Sequence, residues 1–188
     1  MALGVTDLKK GTIFEWEGVP YRVIEYAQKV MGRGGSIVNV KIKSLTDGKV
    51  LEKTFKGNEQ LEPADVTNKN VQYLYNDGQN FYFMDEDTYE QFELPSSVIG
   101  DQVGYMKEGD AVQSQIFNGS VINIELPKNV KLKVAYTENA VKGDTSSAIT
   151  KEATLETGIK IKVPAFIKQG DLISVDTTTG AYREREKS

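Results

Sequence analysis

The stretch Lys29-Val30-Met31-Gly32-Arg33-Gly34-Gly35-Ser36-Ile37-Val38-Asn39-Val40-Lys41-Ile42-Lys43 decides the fold, through the residues on the C-terminal side of its glycines. A dinucleotide-binding glycine loop must open a helix whose N-terminus receives the pyrophosphate. Here the residues after Gly35 are β-branched and then alternate apolar with basic, which is the period of a strand. A Gly-Lys-Ser/Thr following a glycine-rich turn is also missing, which excludes a P-loop. The segment therefore reads as part of a strand–loop–strand unit with Arg33 at the tip of the loop.

Glycine tolerates positive φ and carries no side chain to hold a partner away, so such a loop turns sharply and approaches another molecule's backbone closely. No acidic residue lies between Glu25 and Asp47, whereas Lys29, Arg33, Lys41 and Lys43 are basic. Two readings fit these residues. One is contact with a polyanion, through phosphate and sugar; the other is a long β-hairpin reversing direction with a solvated arginine.

Working outward, strand signals dominate. Thr12 to Trp16 and Tyr21 to Tyr26 flank Glu17-Gly18-Val19-Pro20, and Val40 to Lys43 and Val50 to Phe55 flank Asp47-Gly48, a preferred two-residue hairpin turn. Glu62-Pro63-Ala64-Asp65 breaks the pattern. Val71 to Tyr75, Asn80 to Met84 and Tyr89 to Leu94 come next, then one predicted helix over 97–106, capped by Ser96 or Ser97, with Val98, Gln102 and Tyr105 at helical spacing. Ala111 to Phe117 and Val121 to Leu126 form a hairpin about Asn118-Gly119. After Pro127-Lys128-Asn129, strands are predicted at Val130 to Tyr136, Ala153 to Leu155, Gly158 to Val163 and Leu172 to Asp176. The fold class is all-β, three consecutive small barrels over 1–65, 66–127 and 128–188.

Composition narrows the chemistry. With 39% hydrophobic and 27% charged residues the chain has the make-up of an ordinary soluble protein. It contains neither cysteine nor histidine, so disulfides, thiolate metal sites and the commonest general base are excluded. A non-enzyme with no metal and no cofactor is expected. No apolar run approaches the roughly 20 residues of a spanning helix and no export signal begins the chain, so cytoplasm is expected and a membrane partner is not. The net charge of −4 is unevenly spread: +1 over 1–65, −8 over 66–127 and +3 over 128–188. Locally basic ends around an acidic middle suit a protein that touches an anionic partner at two places.

Other constellations are weaker. Asp85-Glu86-Asp87 with Glu90 lacks the spacing of a calcium loop and reads as a polar turn. Thr145-Ser146-Ser147 offers hydroxyl nucleophiles with only Lys142 near to activate them. Thr137 to Thr150 has no apolar periodicity and reads as an ordered functional loop. Within it Gly143-Asp144-Thr145 suits either an Asx-type turn or the reading of base edges and sugar hydroxyls. Tyr182-Arg183-Glu184-Arg185 pairs an aromatic with cations and is equally readable as an exposed terminal strand.

Lys29 to Gly35 followed by Val40 to Lys43, then Lys53-Thr54-Phe55-Lys56, Glu62 to Val66, Tyr82-Phe83-Met84-Asp85, Ala135-Tyr136-Thr137-Glu138 and Val141-Lys142-Gly143-Asp144-Thr145 together resemble bacterial elongation factor P. The last motif is highly specific, and the resemblance runs over essentially the whole chain. It implies an SH3-like barrel followed by two OB-like barrels, in an L shape similar in outline to transfer RNA. It implies a monomer that binds both ribosomal subunits between the peptidyl and exit sites and rescues ribosomes stalled on consecutive prolines. Arg33 matches the tip position that reaches the acceptor end of the peptidyl-tRNA, in a loop completed by Met31, Gly32, Gly34 and Gly35; Lys29, Lys41 and Lys43 would lie along tRNA or rRNA backbone. That tip is lysine or arginine in relatives and often enzymatically modified, and an arginine implies a rhamnosyl-transferring partner. Gly143, Asp144 and Thr145 match the loop that contacts the mRNA codon in the exit site, and Tyr182 and Arg185 fall at positions similar to ones that touch the ribosome. The chain departs from the pattern at Met31, where many relatives have proline, and at Gly34-Gly35, which leaves an unmodified Arg33 as the alternative. The alternative function, from a different class, is an off-ribosome single-stranded RNA-binding OB protein.

Overall fold

The computed structural model describes residues 2–30, 32–139 and 149–187. Met31 and the segment holding Gly143, Asp144 and Thr145 lie outside the described residues. The chain folds into three consecutive antiparallel sheets, each with its own apolar core.

The first sheet contains β1 (Leu3–Gly4), β2 (Ile13–Trp16), β3 (Val19–Val30), β4 (Ser36–Ser44), β5 (Val50–Lys56) and β6 (Gln60–Pro63), in the order β1-β6-β2-β3-β4-β5. Along β4 the predicted alternation holds: Val38, Val40 and Ile42 are buried while Asn39 and Lys43 are exposed. This period of two orients every side chain of the strand. Fully buried Phe14 lies 6.0 Å from the Tyr21 ring and 6.2 Å from Phe55, tying β2, β3 and β5 together.

The second sheet contains β7 (Val66–Asn76), β8 (Asn80–Asp85), β9 (Gln91–Pro95), β10 (Ala111–Phe117) and β11 (Ser120–Glu125), ordered β11-β10-β7-β8-β9. The third contains β12 (Asn129–Thr137), β13 (Thr150–Leu155), β14 (Lys160–Pro164), β15 (Leu172–Asp176) and β16 (Tyr182–Arg185), ordered β14-β13-β12-β15-β16. The Asn118-Gly119 hairpin is as read from sequence, both residues having positive φ (51° and 79°) between paired Phe117 and Ser120.

Four local expectations are corrected. The predicted helix over 97–106 is one α-turn, Ser96–Ile99, followed by a 3-10 segment, Gly100–Tyr105. Gly100, at φ 53° and ψ −134°, lies outside the helical region and breaks the helix; Pro95 stands at the N-cap, with no side-chain cap from Ser96 or Ser97. Asp47-Gly48 is not a two-residue turn: β4 and β5 are joined by residues 45–49, of which Gly48 alone has positive φ. Ser44 and Lys49 close that loop, the Lys49 carbonyl accepting from the Ser44 amide at 2.8 Å. Glu62 and Pro63 belong to β6, paired with Glu15 and Phe14. Tyr89 sits in a turn at φ 61°, and β9 begins only at Gln91.

The three sheets are joined through specific contacts. Between the first and second, buried Asn123 donates to the Leu45 carbonyl (3.0 Å) while its Oδ1 accepts from Gln102 (3.2 Å) and the Ile124 amide (2.7 Å); Arg22 pairs with Glu125 at 3.1 Å. Between the second and third, Thr157 Oγ1 donates to the Gly104 carbonyl at 2.6 Å and Lys107 pairs with Glu156 at 3.4 Å. A β-carbon at Gly104 would stand 2.2 Å from Ile159 Cγ2, so only glycine lets the two surfaces meet this closely.

Three polar turns share one closure. The Asp77 carboxylate accepts from the amides of Asn80 and Gln79, Asp85 from Thr88 and Asp87, and Asp176 from Thr179 and Thr178. These donors stabilise the ionised form and hold all three carboxyls below the usual carboxylate range. A carboxyl depressed in the folded state stabilises the fold above its unfolded pKa and loses that contribution as pH falls through its folded value. The melting temperature is therefore expected to decline below about pH 4. An Asp77→Asn, Asp85→Asn, Asp176→Asn variant should show a shallower decline over the same range; equal slopes would contradict this assignment.

Candidate functional site

The feature that stands apart from the three cores is the β3–β4 ribbon. Its pairing runs from Tyr21 opposite Ser44 to Val30 opposite Ser36, with a bulge at Ile24. β2 covers β3 only from Val19 to Arg22, so the distal half of β3 is bonded to β4 alone. Ala27 to Val30 are all exposed, Val30 at 78%. At the tip Gly32–Gly34 make one 3-10 turn, with positive φ at its first residue, Gly32 (39°), and at Gly35 (84°) directly after it. Arg33, the middle residue of that turn, is exposed and makes no ion pair among the described residues.

Register places the other cations. Residues directly opposite on antiparallel strands share a face. The row nearest the tip is Lys29, Ile37 and Lys56; the next is Ala27, Asn39 and Thr54; then come Glu25, Lys41 and Glu52, and then Arg22, Lys43 and Val50. Lys29, Lys41 and Lys43 thus lie on one face, as the alternation implies, leading toward Arg33. The sequence count overstated the charge surplus, however. Lys41 is paired with Glu25 at 3.6 Å and faces Glu52 across the ladder, and Arg22 is held by Glu125. Carboxylates excluded from the linear stretch return through strand pairing, and the open cationic end is Lys29, Lys56 and Arg33. Lys56 was missed because its place depends on the β4–β5 register, which a loop longer than Asp47-Gly48 sets.

The remaining candidates are separate from this ribbon. Tyr182 is half-buried and packs on the third core, where burial pushes its phenol up. Arg185 is exposed and its guanidinium lies 5.5 Å from the ring of Phe166, itself 56% exposed. The Asp85 carboxylate is engaged by two amides and by Lys69 at 3.6 Å, as the polar-turn reading expects. Among the described residues no group of three or more acidic side chains is placed to hold a metal. No helix there is long and apolar enough to cross a membrane.

Three sequence families cover this arrangement in order. The KOW-like domain of elongation factor P matches residues 4–61, its OB domain residues 66–124 and its C-terminal domain residues 130–185. The chain belongs to the elongation factor P family. It is 44% identical over 187 residues to elongation factor P of Wolinella succinogenes, and to the same extent to that of Helicobacter acinonychis, covering 100% of each chain. Among solved structures, eukaryotic translation initiation factor 5A from Methanococcus jannaschii aligns with TM-score 0.53 and 22% identity, over 68% of this chain and 92% of its own. That likeness concerns the fold. Membership of the family makes the chain a translation elongation factor, a protein that acts with the ribosome.

Proposed function

We propose that the chain binds the ribosome between the peptidyl and exit sites and uses the Arg33 finger to brace the acceptor end of the peptidyl-tRNA, promoting peptide-bond formation at consecutive prolines. The observation that carries this reading is the exposed arginine at the end of the β3–β4 ribbon, with Lys29 of β3 and Lys56 of β5 in the row behind it. Proline fixes φ and presents a constrained secondary amine, so the reacting ends are poorly aligned. Correct orientation contributes up to roughly 7–11 kcal/mol to such reactions, and a brace needs to recover only a fraction of it. An arginine suits the task because its guanidinium stays charged and forks onto phosphate; it acts by position, not as an acid or base.

In this reading the Gly143-Asp144-Thr145 loop meets the exit-site codon, and Tyr182 and Arg185 lie toward the ribosome. The test is reconstituted translation of a diprolyl message and a matched message without prolines. The factor should accelerate the first and leave the second unchanged. Equal rates with and without it on both messages would favour an RNA-binding role off the ribosome.

Arg33 is also proposed as the substrate of a rhamnosyl-transferring enzyme, a role its exposure at the tip supports. Intact-mass measurement of protein from its native cell should give a mass above that of the encoded chain. A mass equal to the encoded chain means that Arg33 works unmodified.

A further inference from the structure

We propose that Ser36 is the fulcrum of the Arg33 finger, and that Gln28 and Gly57 are positioning residues that clamp it from two sides. The inference rests on the proposed role of the finger and deepens it. β5 leaves β4 after Ile37 and β2 leaves β3 after Arg22, so the last pair of the ribbon, Val30 with Ser36, has no third strand beside it and is flexible unless something stiffens it.

On one side the clamp is a chain of polar contacts running outward from the core. Tyr26 packs against the first core, and its hydroxyl donates to Gln28 Oε1 at 3.4 Å. Gln28 Nε2 donates in turn to Ser36 Oγ at 3.0 Å. Gln28 stands opposite Val38, so this bond is diagonal across the ladder and resists shear between β3 and β4. Ser36 is the first residue of β4, directly after Gly35, so whatever fixes it fixes one foot of the loop.

On the other side the turn between β5 and β6 presses against the same residue. A β-carbon at Gly57 would lie 2.9 Å from the Ser36 carbonyl oxygen and 3.2 Å from its nitrogen, backbone atoms that cannot swing away. That turn is itself held, the Lys56 amide donating to the Glu59 carboxylate at 2.7 Å and the Glu59 amide to the Lys56 carbonyl at 3.0 Å. Next to this contact is an open hollow of about 670 Å³ bordered by Val5, Gly35, Ser36, Lys56, Gly57 and Asn58. Gly57 is therefore the point of support at that side of the loop. Its φ is not in the left-handed region, so an alanine there avoids that penalty and acts through its contact with Ser36.

Positioning and binding are separable by experiment. In the diprolyl assay, Gly57→Ala and Gln28→Ala should each lower the maximal stimulated rate, by about ten-fold for Gly57→Ala, since small misplacements of a positioned group have effects of that size. The factor concentration giving half-maximal rate should change by less than about two-fold, because the surfaces that bind the ribosome are untouched. Amide hydrogen exchange in the free protein should speed up across 28–38 and stay unchanged in the second and third sheets. Gln28 is exposed, so Gln28→Ala leaves the fold intact even if Gly57→Ala does not. If Arg33→Ala lowers the rate while both variants match wild type in rate and exchange, the clamp is wrong and the finger reading stands. If Arg33→Ala also matches wild type, the finger reading fails, and exchange alone then decides whether Ser36 is clamped.

Discussion

Arg33→Ala is expected to bring diprolyl peptide-bond formation down by about a hundred-fold, or to the factor-free rate if that is reached first. The reason is geometric. Arg33 is the one cation placed at the apex of the ribbon, where the two glycines at positive φ turn the chain around it. Lys29 and Lys56, one row back, supply attraction for a polyanion but stand short of the apex. Because the residue is exposed and packs against no core, its loss should change folding stability by no more than about 0.5 kcal/mol, within reach of a melting-temperature comparison. Arg33→Lys keeps the charge and loses the planar fork, so an intermediate rate is expected. Wild-type rates in both variants would remove Arg33 from the mechanism.

The second large effect is expected at Gly104. Placing valine there drives its β-carbon into Ile159 Cγ2, for which 2.2 Å is available, and something must shift. Overpacking of this kind costs about 1–3 kcal/mol. The buried clusters of the second and third sheets are separate, with Tyr105 of the 100–105 segment packed on the third, so the strain is relieved by parting that segment from the β13–β14 turn, drawing Tyr105 off the third core and breaking the Thr157 to Gly104 hydrogen bond of 2.6 Å. Each sheet should stay folded while the joint opens. On the proposed function, the finger and the third sheet engage the ribosome at once, and losing their fixed relation removes the advantage of simultaneous binding, which is worth about 10²-fold or more. The half-saturating concentration should rise accordingly, and small-angle scattering should report a changed particle dimension. Ile159→Ala removes the opposing methyl and should partly restore a Gly104→Ala protein, a coupling that independent sites would not show. Unchanged scattering and unchanged half-saturation in Gly104→Val would mean that the joint does not matter.

The parts of the fold legible in sequence were those set by local periodicity. The alternation of Ile37 to Lys43 is a strand because its residues, in any register, place Val38, Val40 and Ile42 on one face. Asn118-Gly119 is a hairpin turn because both residues tolerate positive φ. The illegible parts depend on residues far apart in sequence. Helical spacing at Val98, Gln102 and Tyr105 gave way to packing of a short segment between two sheets, with Gly100 bending the chain. The charge around Arg33 looked purely basic because Glu52 and Glu25 return only through pairing with Lys41. Gly57 and Gly104 carry no sequence signal at all; their roles come from the Ser36 backbone and the Ile159 side chain, 21 and 55 positions away in the chain.

The central claim is tested most directly by a structure of the factor bound to a ribosome stalled between two prolines. The account predicts Arg33 within hydrogen-bond distance of a phosphate or sugar oxygen at the acceptor end of the peptidyl-tRNA, with the β3–β4 ribbon extended as it is in the free chain. A bound factor whose ribbon is folded back on its own first sheet, or whose Arg33 points to rRNA away from the acceptor end, would contradict it.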